Sequence, residues 1–300
     1  MIDALFQQLE GAYAGNTLLN YKTDFRSYEQ WCNSQGIAPL PAHADTLVAY
    51  IEYLSTINKS ATVRRKLHSL GSLLKLLGLE DTTKAPAVVI ALKRANRTLG
   101  RAQDQATALT RDRLEILKAV CDASPAGLRN KVLLQMGYET MRRRSEICQF
   151  TFEDLDVLAN GKPVLRLRRS KTDQDGQGKM IPISDYLVKL LDEWSVLLQE
   201  QGLAAQGAIL RRVHRNGAIG QSGLFGGSIS PLLKQLQAKT DLKHIAPFSG
   251  HSFRVGAALD LLNRGVPMEV IMLRGGWRSQ TTALSYLRSW VDDEVGVYEE

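Results

Sequence analysis

Four side chains near the C-terminus could together act on a phosphate ester. His251 and Arg254 are three residues apart, so on a helix they would share one face. An arginine holds two phosphate oxygens at once, and an imidazole can accept or donate a proton. Trp277 carries an N–H that can only donate, and Tyr286 carries a hydroxyl that could attack phosphorus. The set predicts phosphoryl transfer through a tyrosine nucleophile.

A structural explanation competes with this chemical one. A capped helix with a surface histidine and arginine, followed by a tryptophan and a tyrosine in the core, would contain the same residues. Each residue taken alone fits that explanation. The four residues at these spacings favour the catalytic interpretation.

The same stretch resembles a known family. Residues 250–258 (Gly-His-Ser-Phe-Arg-Val-Gly-Ala-Ala), the two glycines before Trp277 and a tyrosine nine residues after it are similar to the tyrosine recombinases, the phage integrase family, and most of all to its Cre branch. The resemblance covers nearly the whole chain and is strongest over residues 248–288. It implies a site-specific recombinase that cleaves and rejoins DNA through a 3′-phosphotyrosine intermediate and a Holliday junction, with chemistry like that of type IB topoisomerases.

Three consecutive arginines follow Met141, and burying all of them without anions would be costly. All three could be surface residues, but Ile147 and Phe150 have the pattern of buried positions, so at least one arginine should point inward. The family has an Arg-x-x-Glu motif here, in which the acid braces a catalytic arginine. Counting back from Glu146, the resemblance selects Arg143.

Residues 162–184 change to an alternating apolar and charged pattern around a glycine-rich stretch, which predicts a β-hairpin. Recombinases place a lysine in such a hairpin, and residues 170–172 (Ser-Lys-Thr) resemble the family tripeptide. The resemblance therefore assigns Lys171, with Lys179 as the alternative.

Each predicted site residue has a physical role. Two guanidinium groups would stabilise the charge that develops on the phosphate oxygens without a metal. Trp277 would add a donor, and His251 would take the proton of Tyr286, since a free phenol has a pKa of about 10. Lys171 would protonate the leaving 5′ oxygen. No cofactor is expected, because the covalent ester keeps the bond energy and the sequence shows no P-loop, dinucleotide fingerprint or acidic cluster for Mg²⁺.

Composition is compatible with a DNA-binding protein of the cytosol. A chain of 300 residues with 44% hydrophobic content can bury one large or two modest cores. No apolar run approaches the roughly eighteen residues of a membrane span, and the N-terminus lacks a signal-peptide pattern. Three distant cysteines, Cys32, Cys121 and Cys148, argue against disulfides or zinc and fit a reducing compartment. The net charge of +7 favours a polyanionic partner.

Helical periodicity dominates the first hundred residues. Apolar stripes and capping residues predict helices that begin at Asn16, Asp45 and Ser60, and a fourth helix over about 86–98. In the second half, further helices are predicted after Thr110 and over 128–141, 185–202, 251–264, 267–273 and 279–291, with another that begins at Ser230 and Pro231.

These elements predict a mainly α chain with two domains. We expect an all-helical core-DNA-binding domain over residues 1–100, a polar linker over 101–109, and an α+β catalytic domain with a small hairpin or sheet over 110–300. The resemblance implies the tyrosine recombinase fold, which closes on DNA as a C-shaped clamp. A chain of this length is expected to lack the extra N-terminal arm-binding domain of lambda-type integrases.

The charge distribution predicts where DNA would bind. Residues 59–101 contain ten lysines or arginines and only two acids, Glu80 and Asp81. A basic face on amphipathic helices suits a phosphate backbone, whereas an ordinary solvated surface mixes signs. The predicted DNA contacts are Arg64, Arg65, Lys66, Lys93, Arg94, Arg97 and Arg101.

The resemblance implies a homotetramer on two copies of a specific, inverted-repeat DNA site, with no membrane, in the cytoplasm of a bacterium or encoded by a phage or plasmid. Residues 289–300 are expected to dock on a neighbouring protomer. The alternatives are a Xer-type dimer resolvase or a transposon or integron integrase with the same chemistry, a type IB topoisomerase, and, more remotely, a DNA-binding protein without catalysis.

Overall fold

The chain forms two compact units, which meet in sequence between Asp104 and Gln105. The computed structural model describes residues 2–100, 105–168 and 178–287. Residues 105–109, assigned above to the linker, pack as part of the second unit. Leu109 is fully buried, and its N–H donates to the carbonyl of Ser252 at 3.0 Å.

The first unit is a helical bundle. Its apolar stripes meet in one core around Tyr28, Leu47 and Leu67, and the main helix pairs are α3 with α5 and α2 with α4. The bounds are α1 Ile2–Gln8, α2 Gly15–Ser34, α3 Ala44–Ile57, α4 Ser60–Leu76 and α5 Pro86–Leu99.

The helix starts differ in detail from the predicted caps. Helix α2 begins at Gly15 rather than after Asn16, and α10 of the second unit begins at Ile229, ahead of the predicted start. Ser60 is the first residue of α4, where its hydroxyl donates to Oδ1 of Asn96 at 2.6 Å. That bond between α4 and α5 takes the hydroxyl away from its own helix, so Ser60 ties two helices together instead of capping one.

The second unit combines helices with two small antiparallel sheets around one large core. Trp194 lies at the centre of that core, and its indole N–H donates to the carbonyl of Ile209 at 2.8 Å. The helices are α6 Arg111–Ala119, α7 Pro125–Thr140, α8 Arg144–Ile147, α9 Asp185–Glu200, α10 Ile229–Gln237, α11 Ser252–Asn263, α12 Met268–Gly275 and α13 Gln280–Tyr286; the strands are β1 Leu155–Val157, β2 Pro163–Leu167, β3 Lys179–Pro182, β4 Arg211–Val213 and β5 Ile219–Gly223.

The predicted hairpin is formed by β2 and β3, with Leu165 opposite Ile181. Its glycine-rich turn falls in residues 169–177, outside the described residues. Strand β1 pairs with the other edge of β2 and was not predicted, because three residues that include an exposed Asp156 show too little alternation to be recognised.

Within the described part of the chain, no helix combines the length and the apolar composition needed to cross a bilayer.

Candidate active site

The start of α11 is fixed by a local network. The Ser249 N–H donates to the hydroxyl of Ser252 at 2.9 Å, and the Phe248 N–H donates to Oε1 of Gln237 at 2.9 Å. Gly250 lies against Arg144, where a β-carbon would be only 2.8 Å from that of Arg144. These contacts explain why the serines and the glycine flank His251: they hold the first turn of the helix against α8 and α10.

Arg254 extends from α11 into the protein with only 1% of its surface exposed. One of its terminal nitrogens donates to the carbonyl of Gly275 at 3.0 Å, while Nε and the other terminal nitrogen have no hydrogen-bond partner among the described residues. Burial, followed by the charges of Arg143 and Arg142, lowers the pKa of Arg254 from its ordinary value to about 10. The guanidinium is therefore charged at neutral pH and has two buried N–H donors available to an anion.

Trp277 lies beside this arginine. The guanidinium carbon of Arg254 is 4.8 Å from the centre of the indole ring, within the range of a cation–π contact. The indole N–H is buried and also lacks a hydrogen-bond partner in the part of the chain that the structure describes. The ring packs onto Gly275, which explains the first glycine of the pair before it. Two different side chains thus bring unpaired donors to one place.

Tyr286 joins the same cluster from α13. Its ring centre lies 5.5 Å from that of Trp277 and 6.2 Å from that of His251, and the Arg254 guanidinium carbon is 6.0 Å from the tyrosine ring. Tyr286 is half-buried. The structure therefore brings together the four residues that the sequence singled out.

His251 keeps an exposed edge, although surrounding protein atoms desolvate its ring. Desolvation lowers the pKa of His251 below its ordinary 6.5, and the charges of Arg254, Arg144 and Arg143 lower it further. The neutral imidazole is therefore the dominant form at neutral pH. It is suited to accept a proton from a neighbouring group.

The predicted pair of Arg143 and Glu146 is formed. One terminal nitrogen of Arg143 donates to Oε1 of Glu146 at 2.9 Å, and its backbone N–H donates to Oε2 at 3.1 Å. The Arg143 side chain remains 27% exposed, whereas the carboxylate is almost fully buried. Glu146 therefore holds Arg143 by both its backbone and its side chain.

Arg142, which was not assigned a role above, is the arginine of the triplet that points inward. It is 3% exposed, and its Nε donates to the carbonyl of Thr140 at 2.8 Å. The expectation that at least one arginine would be buried gave a signal for it, but the family motif directed attention to the next residue.

The structure describes one of the two candidate lysines of the hairpin. Lys171 lies in residues 169–177, outside the described residues. Lys179, the alternative, is half-buried on β3, and its Nζ donates to the carbonyl of Leu273 in α12. Burial, followed by the charge of Arg142, lowers the pKa of Lys179.

The predicted DNA contacts of the first unit divide into two groups. On α4, Arg65 donates to the buried carboxylate of Asp24, and Lys66 donates to the hydroxyl of Ser27 at 2.6 Å. Sequence reasoning missed Asp24, because no short-range spacing links it to α4. Arg65 is nevertheless exposed, and so are the predicted DNA contacts of α5, which are Lys93, Arg94 and Arg97. Arg64 is half-buried, and its Nε has no hydrogen-bond partner within residues 2–100, 105–168 and 178–287; Arg101 lies outside these ranges.

Comparison with known proteins agrees with this architecture. The sequence profile of the phage integrase family matches residues 107–291. The integrase/recombinase xerD homolog of Selenomonas ruminantium is 27% identical over 292 residues, which cover 94% of this chain and 84% of that protein. The recombinase cre of Escherichia phage P1 is 26% identical over 290 residues, which cover 90% of this chain and 83% of that protein.

Two solved structures share the fold. The Tn1549 transposon integrase in complex with transposon right end DNA superposes with a TM-score of 0.67 at 16% identity, over 94% of this chain and 93% of that one. A lambda integrase dimer bound to a COC′ core site superposes with a TM-score of 0.62 at 16% identity, over 95% of this chain and 93% of that one.

The chain belongs to the phage integrase family, the tyrosine recombinases. It is a site-specific DNA recombinase, an enzyme that transfers DNA strands.

Proposed function

We propose that Tyr286 attacks the scissile phosphate and forms a 3′-phosphotyrosine, while Arg143, Arg254 and Trp277 bind the phosphate oxygens. The observation that carries this proposal is the convergence of three buried donor nitrogens, two on Arg254 and one on Trp277, beside the half-buried tyrosine; none of the three has a hydrogen-bond partner among the described residues. Buried donors without partners are costly. A phosphate oxyanion would satisfy them, and the donors would stabilise the charge that grows on it during attack.

Proton transfer is assigned to His251 and a hairpin lysine. The neutral imidazole accepts the phenolic proton of Tyr286 as the O–P bond forms. The bond from phosphorus to the 5′ oxygen breaks, and a lysine ammonium protonates that oxygen. Lys171 is the proposed donor, with Lys179 as the alternative. Glu146 holds Arg143 in position through its two hydrogen bonds.

The same ester then supports strand exchange. A free 5′ hydroxyl from a second DNA site attacks the phosphotyrosine, which reverses the first step and releases Tyr286 with its proton restored. Two sites with inverted-repeat arms bound by four protomers would pass through a Holliday junction. A lambda integrase tetramer bound to a Holliday junction shares this fold, with a TM-score of 0.64 at 15% identity, which supports the proposed assembly by analogy of fold.

We favour a Cre-like enzyme that needs no second recombinase, acting in the cytoplasm of a bacterium, or on phage or plasmid DNA. The sequence of residues 250–258 leans toward that branch. A Xer-type resolvase remains the second candidate, because the xerD homolog and cre are similar to this chain at 27% and 26% identity. Recombination by the purified protein alone would support the first, and a strict requirement for a partner recombinase would support the second.

Covalent trapping tests the chemistry. The protein is incubated with nicked suicide duplexes from its own genetic neighbourhood, and adducts that survive SDS are counted. The wild type should form an adduct, and Tyr286→Phe should bind the same DNA without forming one. Retention of the adduct in that variant would exclude Tyr286 as the nucleophile. Tight binding with no wild-type adduct on any selected duplex would favour a protein that binds DNA without cleaving it.

A further inference from the structure

The C-terminal end of α12 accepts hydrogen bonds from three cations that come from different parts of the second unit. The carbonyl of Leu273 accepts from Lys179, that of Arg274 accepts from Arg142, and that of Gly275 accepts from Arg254 at 3.0 Å. The last carbonyls of a helix lack intrahelical partners and carry the negative end of its dipole. Three successive carbonyls are thus each bound by a positive charge.

Arg142 joins this helix end to another one. Its Nε donates to the carbonyl of Thr140, the last residue of α7, at 2.8 Å, and a terminal nitrogen donates to the carbonyl of Arg274. The planar guanidinium can hold two acceptors in a fixed geometry, which a lysine ammonium does not impose. One side chain therefore connects the segment that leads to Arg143 with the segment that leads to Trp277.

The turn after α12 is shaped around this guanidinium. Gly276 has a φ of +69°, and a β-carbon there would lie 2.8 Å from a terminal nitrogen of Arg142. The Gly276 and Trp277 N–H groups then bond back to Leu273 and Met272 at 3.3 and 3.0 Å. Gly276 is thus required by the nearby guanidinium of Arg142, as Gly275 is required by the indole ring of Trp277.

We propose that Arg142 is a positioning residue for DNA cleavage: it fixes the end of α12 and thereby sets Arg254 and Trp277 for the scissile phosphate. The inference rests on the proposed roles of those two residues. Arg142 itself donates its Nε and one terminal N–H to backbone carbonyl oxygens. It therefore acts through the residues that are proposed to contact the phosphate. Its permanent charge also strengthens the cationic surroundings of Arg254.

Arg142→Met tests the proposal, because it removes the charge and both hydrogen bonds while keeping the length of the side chain. A matched control is Arg211→Met. Arg211 is 4% exposed and also donates to carbonyls, those of Ala208 and Ala204 at 3.2 and 2.7 Å, with no contact to α12 among the described residues. Both variants should melt at lower temperature, so cleavage is compared at a temperature where circular dichroism shows all proteins folded.

We expect Arg142→Met to slow the covalent step while DNA binding stays nearly unchanged. On a suicide duplex that the wild type cleaves, Arg142→Met should form the covalent adduct between about tenfold and 10²-fold more slowly, with the Kd for that duplex changed less than about threefold. Arg211→Met should cleave at the wild-type rate. Arg142→Lys, which keeps the charge, should recover part of the loss. Cleavage by Arg142→Met at the wild-type rate, or equal slowing of both Met variants, would overturn the proposal.

A double-variant cycle shows whether Arg142 acts through Arg254. In an Arg254→Lys background the further change Arg142→Met should slow adduct formation clearly less than it does in the wild-type background, since one of the two residues that it positions has already lost its guanidinium. The full slowing in both backgrounds would mean that Arg142 acts independently, and the inference would be wrong. Failure of the wild type to form any adduct is a separate result, which would remove the proposed function itself.

Discussion

The indole ring of Trp277 occupies the space that a side chain on Gly275 would need: a β-carbon at Gly275 would lie 2.1 Å from Cζ3 of the ring. We predict that Gly275→Ala displaces the ring and its N–H from the cluster with Arg254. Covalent adduct formation should slow by at least about tenfold, while the Kd for the duplex changes less than about threefold. Single-turnover trapping and a binding titration measure the two quantities.

Gly220→Ala is the matched control for that change. A β-carbon on Gly220 would lie 3.4 Å from the nearest heavy atom, an ordinary van der Waals distance, and the backbone of Gly220 is not in the left-handed region. The control should cleave as fast as the wild type. If Gly275→Ala cleaved equally fast, the ring would not be held where the structure shows it.

Removal of the buried charge of Arg254 should separate stability from activity. Among the described residues, the guanidinium makes one hydrogen bond, to the carbonyl of Gly275, and it lies near the cationic side chains of Arg143 and Arg142. Arg254→Met removes the unsatisfied donors and the repulsion, so the free energy of unfolding in urea should be unchanged or higher by about 1–3 kcal/mol. Adduct formation should fall by about 10²- to 10³-fold. A clear loss of stability would show that the charge is better satisfied than its contacts indicate.

The pH dependence of cleavage should report His251. Its pKa is lowered by desolvation and by Arg254, Arg144 and Arg143, so the neutral, proton-accepting form persists to pH values below the ordinary 6.5. The rate constant kcat/KM, which reflects groups of the free enzyme, should rise with pH along a limb centred below 6.5 and then level off. Arg144→Gln removes one repelling charge and should move that limb to higher pH. A limb above 6.5 in the wild type would contradict the assignment.

The exposed basic residues of α5 should contribute to the salt dependence of DNA binding. Each cation that neutralises a phosphate adds about one to the slope of log K against log salt. A triple change of Lys93, Arg94 and Arg97 to Gln should therefore reduce the slope by about two to three. Lys75→Gln with Lys84→Gln is the control, since both lysines already face Asp81, at 3.2 and 3.9 Å. An equal change in slope from the control would show a general charge effect rather than contacts of α5.

Local spacing predicted most of the helices, although not α1 or α8, and it singled out four residues that the structure brings together. Arg254 and Tyr286 lie on α11 and α13, His251 is the residue before α11, and Trp277 lies in the turn between α12 and α13. Their chemistry is therefore encoded within a few dozen neighbouring residues. Helical periodicity and glycine positions carry that kind of information directly.

The arginine triplet shows where spacing fails. Met141 has a φ of +53°, a left-handed conformation that ends α7, so the next three residues do not continue its periodicity. Which arginine turns inward depends on the acceptors at Arg274, far along the chain. Asp24 and Arg65 present the same difficulty across 41 positions. Pairing over such distances follows from packing and leaves no periodic trace in the sequence.

The backbone carbonyl oxygen of Leu109 lies 1.9 Å from the position that a β-carbon on Gly256, two residues after Arg254, would take. Residues 105–109 thus pack directly against helix α11, with no room for a side chain between them. The Leu109 N–H also donates a hydrogen bond to the carbonyl of Ser252. Any shift of that segment must be matched by the helix, and a misplacement of about 1 Å can slow a chemical step by about 10²-fold. The position of residues 105–109 and the alignment of Arg254, a proposed ligand of the phosphate, should therefore change together.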